Sequence, residues 1–475
     1  MTGAARPLEP TGDRLRALLA EAVEYVIRTV DDITAGPVSD TDGIRALVAD
    51  PAIRRPPPAD PTPIAELIRT IDRAAGKGVF PPSPGMMAFI PGSGLVATAI
   101  ADLLSGVLNR YTGEAYPAPG FVALETTVLR WLVDLFGLPP TATGLLTTGG
   151  SLATFAAIIT ARDASPHGTS GTIYVTDQAH LSAAKAAHLA GFPADAIRTV
   201  PVDAELRMAP AALDDAVAKD DRPFLVVASA GTTNAGTIDP LPALADIASK
   251  SRMWLHVDAA YGGFFQLTDR GRALLRGIER ADSIVVDAHK GLFLPFGTGG
   301  LLIRDGELLR RAHSGPVADY LQDIQEDIGL PNFADYGPEL TRDSRGLRMW
   351  LPLHLHGVDA FRAALDEKLD LAEHAHRELS TDENVTVVGP VGLSTVVFHH
   401  DTDATTEELL ARVNAERRVF LTSTRINGRY VGRICVLNHR TDRARVDEAV
   451  TAIRRHAKVL HQKPGTRREP APGSP

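Results

Sequence analysis

The sequence predicts an α/β fold with a mainly parallel sheet, followed by a smaller C-terminal α+β domain. Three observations predict it. Short apolar or β-branched runs alternate with helix-like segments through the middle of the chain. Those runs are continuously apolar, as strands buried on both faces are. After about residue 365 the pattern changes to shorter strands with two amphipathic helices. A chain of 475 residues, 44% hydrophobic and 23% charged, has room for one large domain and one small one.

Taken in order, residues 12–34 place Leu15, Leu18, Leu19, Val23, Val26, Ile27 and Val30 at helical spacing, which predicts an amphipathic helix in need of a partner surface. The stretch RRPPPADPTP, residues 54–63, reads as a stiff linker, because proline lacks the amide hydrogen and clashes with the preceding turn. Together these make residues 1–84 an N-terminal helical segment. A helix over FVALETTVLRWLVDLFG follows, with Pro119 near its start and Gly137 at its stop. Seven strands are then expected in GLLTTGG, TIYVT, AIRTVPV, FLVVASAGTT, MWLHVDAA, SIVVDAHK and GGLLIR, within a large domain spanning 85–365. The small domain, 366–462, takes its strands from NVTVVG, LSTVVFHH, RVFLTST and YVGRICVLN, and its helices from TEELLARVNAE and RARVDEAVTAIRRHA. The polar, proline-rich residues 463–475 read as a disordered tail.

Charge and composition narrow the function. The net charge is -9 and no Lys/Arg block stands alone, so the electrostatic footprint for nucleic acid or an anionic membrane is missing. The start, MTGAARPLEP, lacks a secretory apolar run, and nowhere do eighteen apolar residues follow one another, so a cytoplasmic protein is expected. The single cysteine, Cys435, lies in the apolar run RICVLN and is expected in a core. His354 with His356, and His399 with His400, lack an accompanying carboxylate or cysteine ligand pattern, so no metal site is expected. Arg348 and Trp350 read as packing and ion-pair residues.

Several strands end in polar residues, and in a parallel sheet those ends converge on one crevice. TTGGSLAT runs from strand through Gly149 and Gly150 to Ser151 and a helix, an arrangement that suits a phosphate. HVDAAYGG puts Asp258 at a strand end, where a carboxylate can keep a pyridine nitrogen protonated, and the small Ala260 leaves room for a flat ring. One strand later Lys290, in DAHKGLFLPFG, can form an imine. His180, in DQAHLSAAK, is read as ending another strand. Together these fit pyridoxal 5'-phosphate.

The motifs TTGGSLAT, AHLSAAKAA, ASAGTTNAGTIDP, WLHVDAAYGG, DAHKGLFLPFG and SRGLRMWLPLHLHG resemble, over residues 85–365, those of the group II pyridoxal-phosphate-dependent amino acid decarboxylases. That family contains aromatic-L-amino-acid and glutamate decarboxylases. The resemblance implies the type I pyridoxal-phosphate-dependent transferase fold with a seven-stranded, mainly parallel sheet. It also implies a homodimer whose N-terminal helices wrap the partner. It makes Lys290 the internal-aldimine lysine, Asp258 the partner of the ring nitrogen and His180 the imidazole stacked over the ring. Gly149, Gly150 and Ser151 become the phosphate cradle, with contacts from Asp287 and His289, and Thr232 and Ala260 lie beside the ring. Asp287 departs from the asparagine of several relatives, and an acid there repels a phosphate unless protonated or turned away.

The implied reaction is decarboxylation of an L-amino acid, with an aromatic or hydrophobic one leading, to the amine and carbon dioxide. Phe89, Ile90 and Tyr111 are expected in the side-chain pocket, while Arg110 and Glu114 nearby leave polar substrates open. The alternative is decarboxylation coupled to oxidative deamination, giving an aldehyde. The choice turns on a loop tyrosine that returns a proton to carbon. Counting back without gaps from GLRMW sets Phe333 opposite the family's tyrosine, with Tyr336 three residues on and Tyr320 upstream. Tyr336 is taken as the donor.

Overall fold

The computed structural model describes residues 8–316 and 326–462. The seven expected strands form one sheet: β1 Thr143–Thr147, β2 Thr172–Val175, β3 Ile197–Thr199, β4 Pro223–Ser229, β5 Trp254–Asp258, β6 Ser283–Val286 and β7 Gly299–Ile303. Their order is β1-β7-β6-β5-β4-β2-β3. β7 runs antiparallel to both neighbours, and every other pairing is parallel. The exception has a local cause. Only residues 287–298 separate β6 from β7, and they make one turn of helix, Ala288–Gly291, rather than the longer crossover a parallel return requires.

Among the helices are α1 Gly12–Asp32, α2 Val96–Leu108, α3 Pro119–Leu135 and α4 Gly150–Ala164. Pro119 sits in the first turn of α3, where its missing N–H costs nothing, and Gly137 stops the chain with φ at 64°. Ala153, Ala156 and Ala157 let α4 lie close against Val285 and Leu301 of the sheet. Later come α5 Arg345–His356 and α6 Val358–Ser380. Helix α6 threads both cores: Phe361 and Leu365 pack in the large one, Leu371, Ala375 and Leu379 in the small one. The chain therefore passes residue 365 inside a continuous helix.

The small unit is a four-stranded antiparallel sheet of β8 Thr386–Val387, β9 Thr395–His399, β10 Thr422–Ile426 and β11 Arg429–Cys435, in the order β8-β9-β11-β10. Helices α7 Asp403–Ala415 and α8 Arg443–His461 pack on it through Leu409, Val413, Val446, Val450 and Ile453. Cys435 is buried. Arg348 pairs with Asp102 at 2.5 Å, and Trp350 stacks on His354. The residues of the tail, 463–475, lie outside the described residues.

Helix α1 forms as expected, yet in the single chain Leu15, Leu19, Val23, Val26 and Ile27 remain exposed. Ile100, Leu103, Leu104, Val107 and Leu108 of α2 are exposed as well. Apolar surface in this amount marks an interaction face. Among the described residues no helix is long and apolar enough to cross a membrane.

Candidate active site

The carboxyl ends of β1, β4, β5 and β6 open on a cavity of roughly 310 Å³. Every residue expected to bind the cofactor lines it: Gly149, Gly150, Ser151, His180, Thr232, Asp258, Ala260, Asp287, His289 and Lys290.

The cradle follows from its glycines. Gly149 has φ at 156°, which other residues rarely adopt, and caps α4 without a side chain, leaving the first N–H groups of the helix open to the cavity. A Cβ on Gly150 would lie 3.1 Å from Asp287 Oδ2 and 3.3 Å from Ala260 Cβ, so glycine lets this turn press against the ends of β5 and β6.

Asp258 is the last residue of β5, and its Oδ1 accepts the Ala260 N–H at 3.1 Å. After β6, the turn 288–291 presents His289 and Lys290. Lys290 Nζ lies 3.0 Å from Asp287 Oδ2. Asp287 is 3% exposed with Oδ2 turned toward the lysine, while its Oδ1 has no partner among the described residues. His289 Nδ1 donates to the Thr298 carbonyl at 2.9 Å, leaving Nε2 3.7 Å from Asp287 Oδ2. Burial holds the His289 pKa below the usual histidine value, and Lys290 pushes the same way against the pull of Asp287. An anion arriving here would favour protonation of the ring.

His180 does not end a strand, as expected from sequence. It lies in the loop beyond Val175, ahead of the helix Ser182–Leu189. The Ser182 N–H donates to His180 Nδ1 at 3.2 Å, so the ring proton belongs on Nε2. Thr232 is held in the cavity wall by a tight turn in which its Oγ1 accepts the Thr237 N–H at 3.1 Å.

The substrate and donor expectations fare differently. Phe89, Ile90, Tyr111 and Tyr336 do not line this cavity. Phe89, 56% exposed with φ at 57°, borders a neighbouring depression that shares Thr233 with the cavity. Ile90 is in the core, and the Tyr111 hydroxyl donates to the Leu340 carbonyl at 3.0 Å. Tyr336 is half-buried, near Glu307 and Arg310, and burial raises its hydroxyl pKa. Phe333 is 1% exposed beneath the Arg342 guanidinium, 4.8 Å from its ring centre. Tyr320 lies outside the described residues.

Sequence reasoning missed Tyr261 and Arg433. Tyr261 ties the cavity wall to the small sheet: its hydroxyl accepts the Ser394 N–H at 3.0 Å and lies 3.0 Å from Thr395 Oγ1. Arg433 of β11 is 3% exposed and donates to the carbonyls of Asn234 at 2.9 Å, Phe89 at 3.1 Å, and Thr233. Tyr261 stands beside Ala260 in a quoted motif, but its partners Ser394 and Thr395 lie more than 130 residues on, and Arg433 is as remote from Phe89 and Asn234, which hides both roles. His400, Asp401 and His461 approach one another, but the ring nitrogens of His400 are engaged by Thr405 Oγ1 at 3.0 Å and the Ala457 carbonyl at 3.2 Å.

A phosphorylated pyridine fits this cavity: an uncapped helix start faces a carboxylate, a lysine and a neutral imidazole around a glycine-lined floor. Comparison with known proteins agrees. Residues 52–401 match the pyridoxal-dependent decarboxylase conserved domain. The chain is 31% identical to the aromatic-L-amino-acid decarboxylase of Bacillus atrophaeus, covering 91% of this chain and 93% of that protein. It is 32% identical to the L-2,4-diaminobutyrate decarboxylase of Rhizobium meliloti (strain 1021), covering 95% and 94%. The solved structure of Oryza sativa TDC with PLP and tryptamine matches with a TM-score of 0.90 at 26% identity, over 96% of this chain and 100% of that one.

Proposed function

The chain belongs to the pyridoxal-dependent decarboxylase family, and on that premise we propose that it removes carbon dioxide from an aromatic or hydrophobic L-amino acid and releases the amine. The observation that carries this reading is the meeting of Lys290, Asp258, His180 and the Gly149–Gly150 turn in one cavity.

When bound, pyridoxal 5'-phosphate supplies a carbonyl that captures amines and a ring that withdraws electrons from the bond being broken. The N-terminal turn of α4, with Ser151, holds the phosphate through backbone N–H groups. Asp258 keeps the ring nitrogen protonated. His180, with its proton on Nε2, would help hold the ring and orient the substrate carboxylate. Lys290 would hold the cofactor's carbonyl carbon through its amine. Asp287 serves Lys290 as its counter-charge rather than contacting the phosphate, which answers the repulsion expected of an acid at this position.

The exposed apolar faces of α1 and α2 support a homodimer. In it, Tyr336 would act on the cavity of the neighbouring copy, since it does not reach its own. Phe89 and Tyr430, in the depression that opens at Thr233, favour a flat apolar substrate side chain.

The test is a screen of amino acids, diamino acids included, for carbon dioxide release, with amine, aldehyde, ammonia and peroxide measured in parallel. Amine from aromatic acids is expected. Aldehyde with peroxide or ammonia would replace the reading by the oxidative one, and binding without carbon dioxide release would end both.

A further inference from the structure

β5 carries a second polar residue beneath the cavity. His256 stands two residues before Asp258, so both side chains leave the same face of the strand. It is fully buried and pairs in register with Ser283 of β6. Trp254, two residues earlier on that face, donates its indole N–H to Ser283 Oγ at 2.8 Å, and the same oxygen lies 2.7 Å from His256 Nδ1.

Hydrogen counting orients this chain. An indole N–H can only donate, and a serine hydroxyl has one hydrogen to give. The Ser283 oxygen accepts the indole hydrogen, and among the described residues Nδ1 is the acceptor within reach of its own hydrogen, so Ser283 donates to Nδ1. The imidazole proton then sits on Nε2, which has no partner among the described residues. Burial lowers the His256 pKa to about 4, so the ring is neutral and has a single N–H to place; the charge acting on it is that of Asp258. Trp254, on the same face, packs against an apolar layer that includes Ala153, Ala156 and Val285. A buried donor left without a partner is costly and is usually met by ordered water.

We propose that His256 is a positioning residue for Asp258: its Nε2–H, relayed through one buried water, holds the Asp258 carboxylate aimed at the pyridine nitrogen of the cofactor. The chain Trp254, Ser283, His256, water, Asp258 would then set the protonation of that nitrogen. The inference rests on the reading of Asp258 given above.

The test uses the full-length protein reconstituted with pyridoxal phosphate carrying ¹⁵N in the ring, and reads the ring-nitrogen chemical shift across pH together with the cofactor dissociation constant. Wild type is expected to hold a protonated nitrogen. H256F should let it titrate at lower pH and weaken cofactor binding about tenfold, the scale of a hydrogen bond to a charged group. H256Q, which keeps an amide donor at similar reach, should restore protonation. In a D258N background, H256F should add nothing. Should H256F fail to fold, S283A frees Nδ1 and is expected to give a partial shift in the same direction. An unchanged shift in H256F, or in S283A where that variant stands in, would overturn the proposal, as would an equal further loss on top of D258N. A D258N protein with a wild-type shift would instead remove the Asp258 assignment and this proposal with it.

Discussion

Gly299 opens β7 opposite Thr147, the last residue of β1. A Cβ placed on it would lie 2.6 Å from Gly149 Cα, 2.8 Å from the Gly149 carbonyl carbon and 2.6 Å from Asp287 Oδ1. Ordinary contact begins at 3.4 Å, so Gly299→Ala must drive the cradle back by about 0.8 Å. The obstacle is largely backbone, which cannot rotate away, and forced overpacking of this kind costs about 1–3 kcal/mol. The displaced atoms belong to the Gly149 turn and to Asp287, the ion-pair partner of Lys290. A shift near 1 Å in such a site costs about a hundredfold in rate. The expectation is therefore a folded, less stable protein with cofactor affinity reduced about tenfold and turnover reduced tenfold to a hundredfold.

Gly300→Ala is the control. Its Cβ would meet Leu146 Cδ2 and Val286 Cγ2 at 3.5 Å, an ordinary contact with mobile side-chain ends. It should stay within about 1 kcal/mol of wild type. Urea unfolding, equilibrium binding of pyridoxal phosphate and carbon dioxide release measure all three effects. Wild-type cofactor binding in Gly299→Ala, or equal damage in Gly300→Ala, would refute the steric argument.

Borohydride reduction of the reconstituted protein should fix the cofactor to Lys290, read by peptide mass mapping; an adduct on another lysine would remove its assignment. Tyr336→Phe should cut amine formation and raise aldehyde, since the hydroxyl goes while the ring's packing stays; unchanged amine yield would free Tyr336 of the donor role. Arg433→Lys keeps the charge but not the fork that gathers three carbonyls, and should lower unfolding free energy by about 2–4 kcal/mol in chemical denaturation. His256 is held neutral with a pKa of about 4 against 6.5 when unfolded. The unfolded chain therefore takes up the proton first, and this stabilisation, present in full above pH 6.5, is lost as pH falls toward 4. Between pH 6.5 and 5 the loss is about 2 kcal/mol. Unfolding of wild type and His256→Gln across that range should converge at acid pH, and parallel curves would contradict the burial argument.

The sheet was legible because strands buried on both faces are mainly apolar, and all seven expected runs became its strands, the edge strand β3 with its exposed Arg198 and Thr199 carrying the weakest apolar signal. The expected residues that line the cavity were legible for a related reason: each sits within a few residues of a strand's carboxyl end, and parallel topology gathers such ends automatically. So Gly149, Asp258 and Lys290, spread across the chain, could be placed together before any coordinate was known. The reversed direction of β7 left no such mark, since an apolar strand reads the same in either sense.

What needed the tertiary structure were contacts across large sequence separations and choices made by geometry alone. Arg433 reaches the carbonyl of Phe89, 344 residues away in the chain, and no local pattern announces a side chain whose partners are backbone atoms. Tyr336 and Phe333 sit in a loop without periodicity, so residue counting fixes no register there. Their placement, with Phe333 under Arg342 and Tyr336 beside Arg310, follows from packing on β1 and the 113–115 segment. The turning of Asp287 toward Lys290 is of the same kind: sequence names the acid, but only the fold of residues 287–291 sets which neighbour its carboxylate meets. Strand identity and chemical roles are encoded locally, in residue type and spacing. The direction in which a buried polar side chain points is decided by whichever distant groups the fold brings within about 3 Å of it.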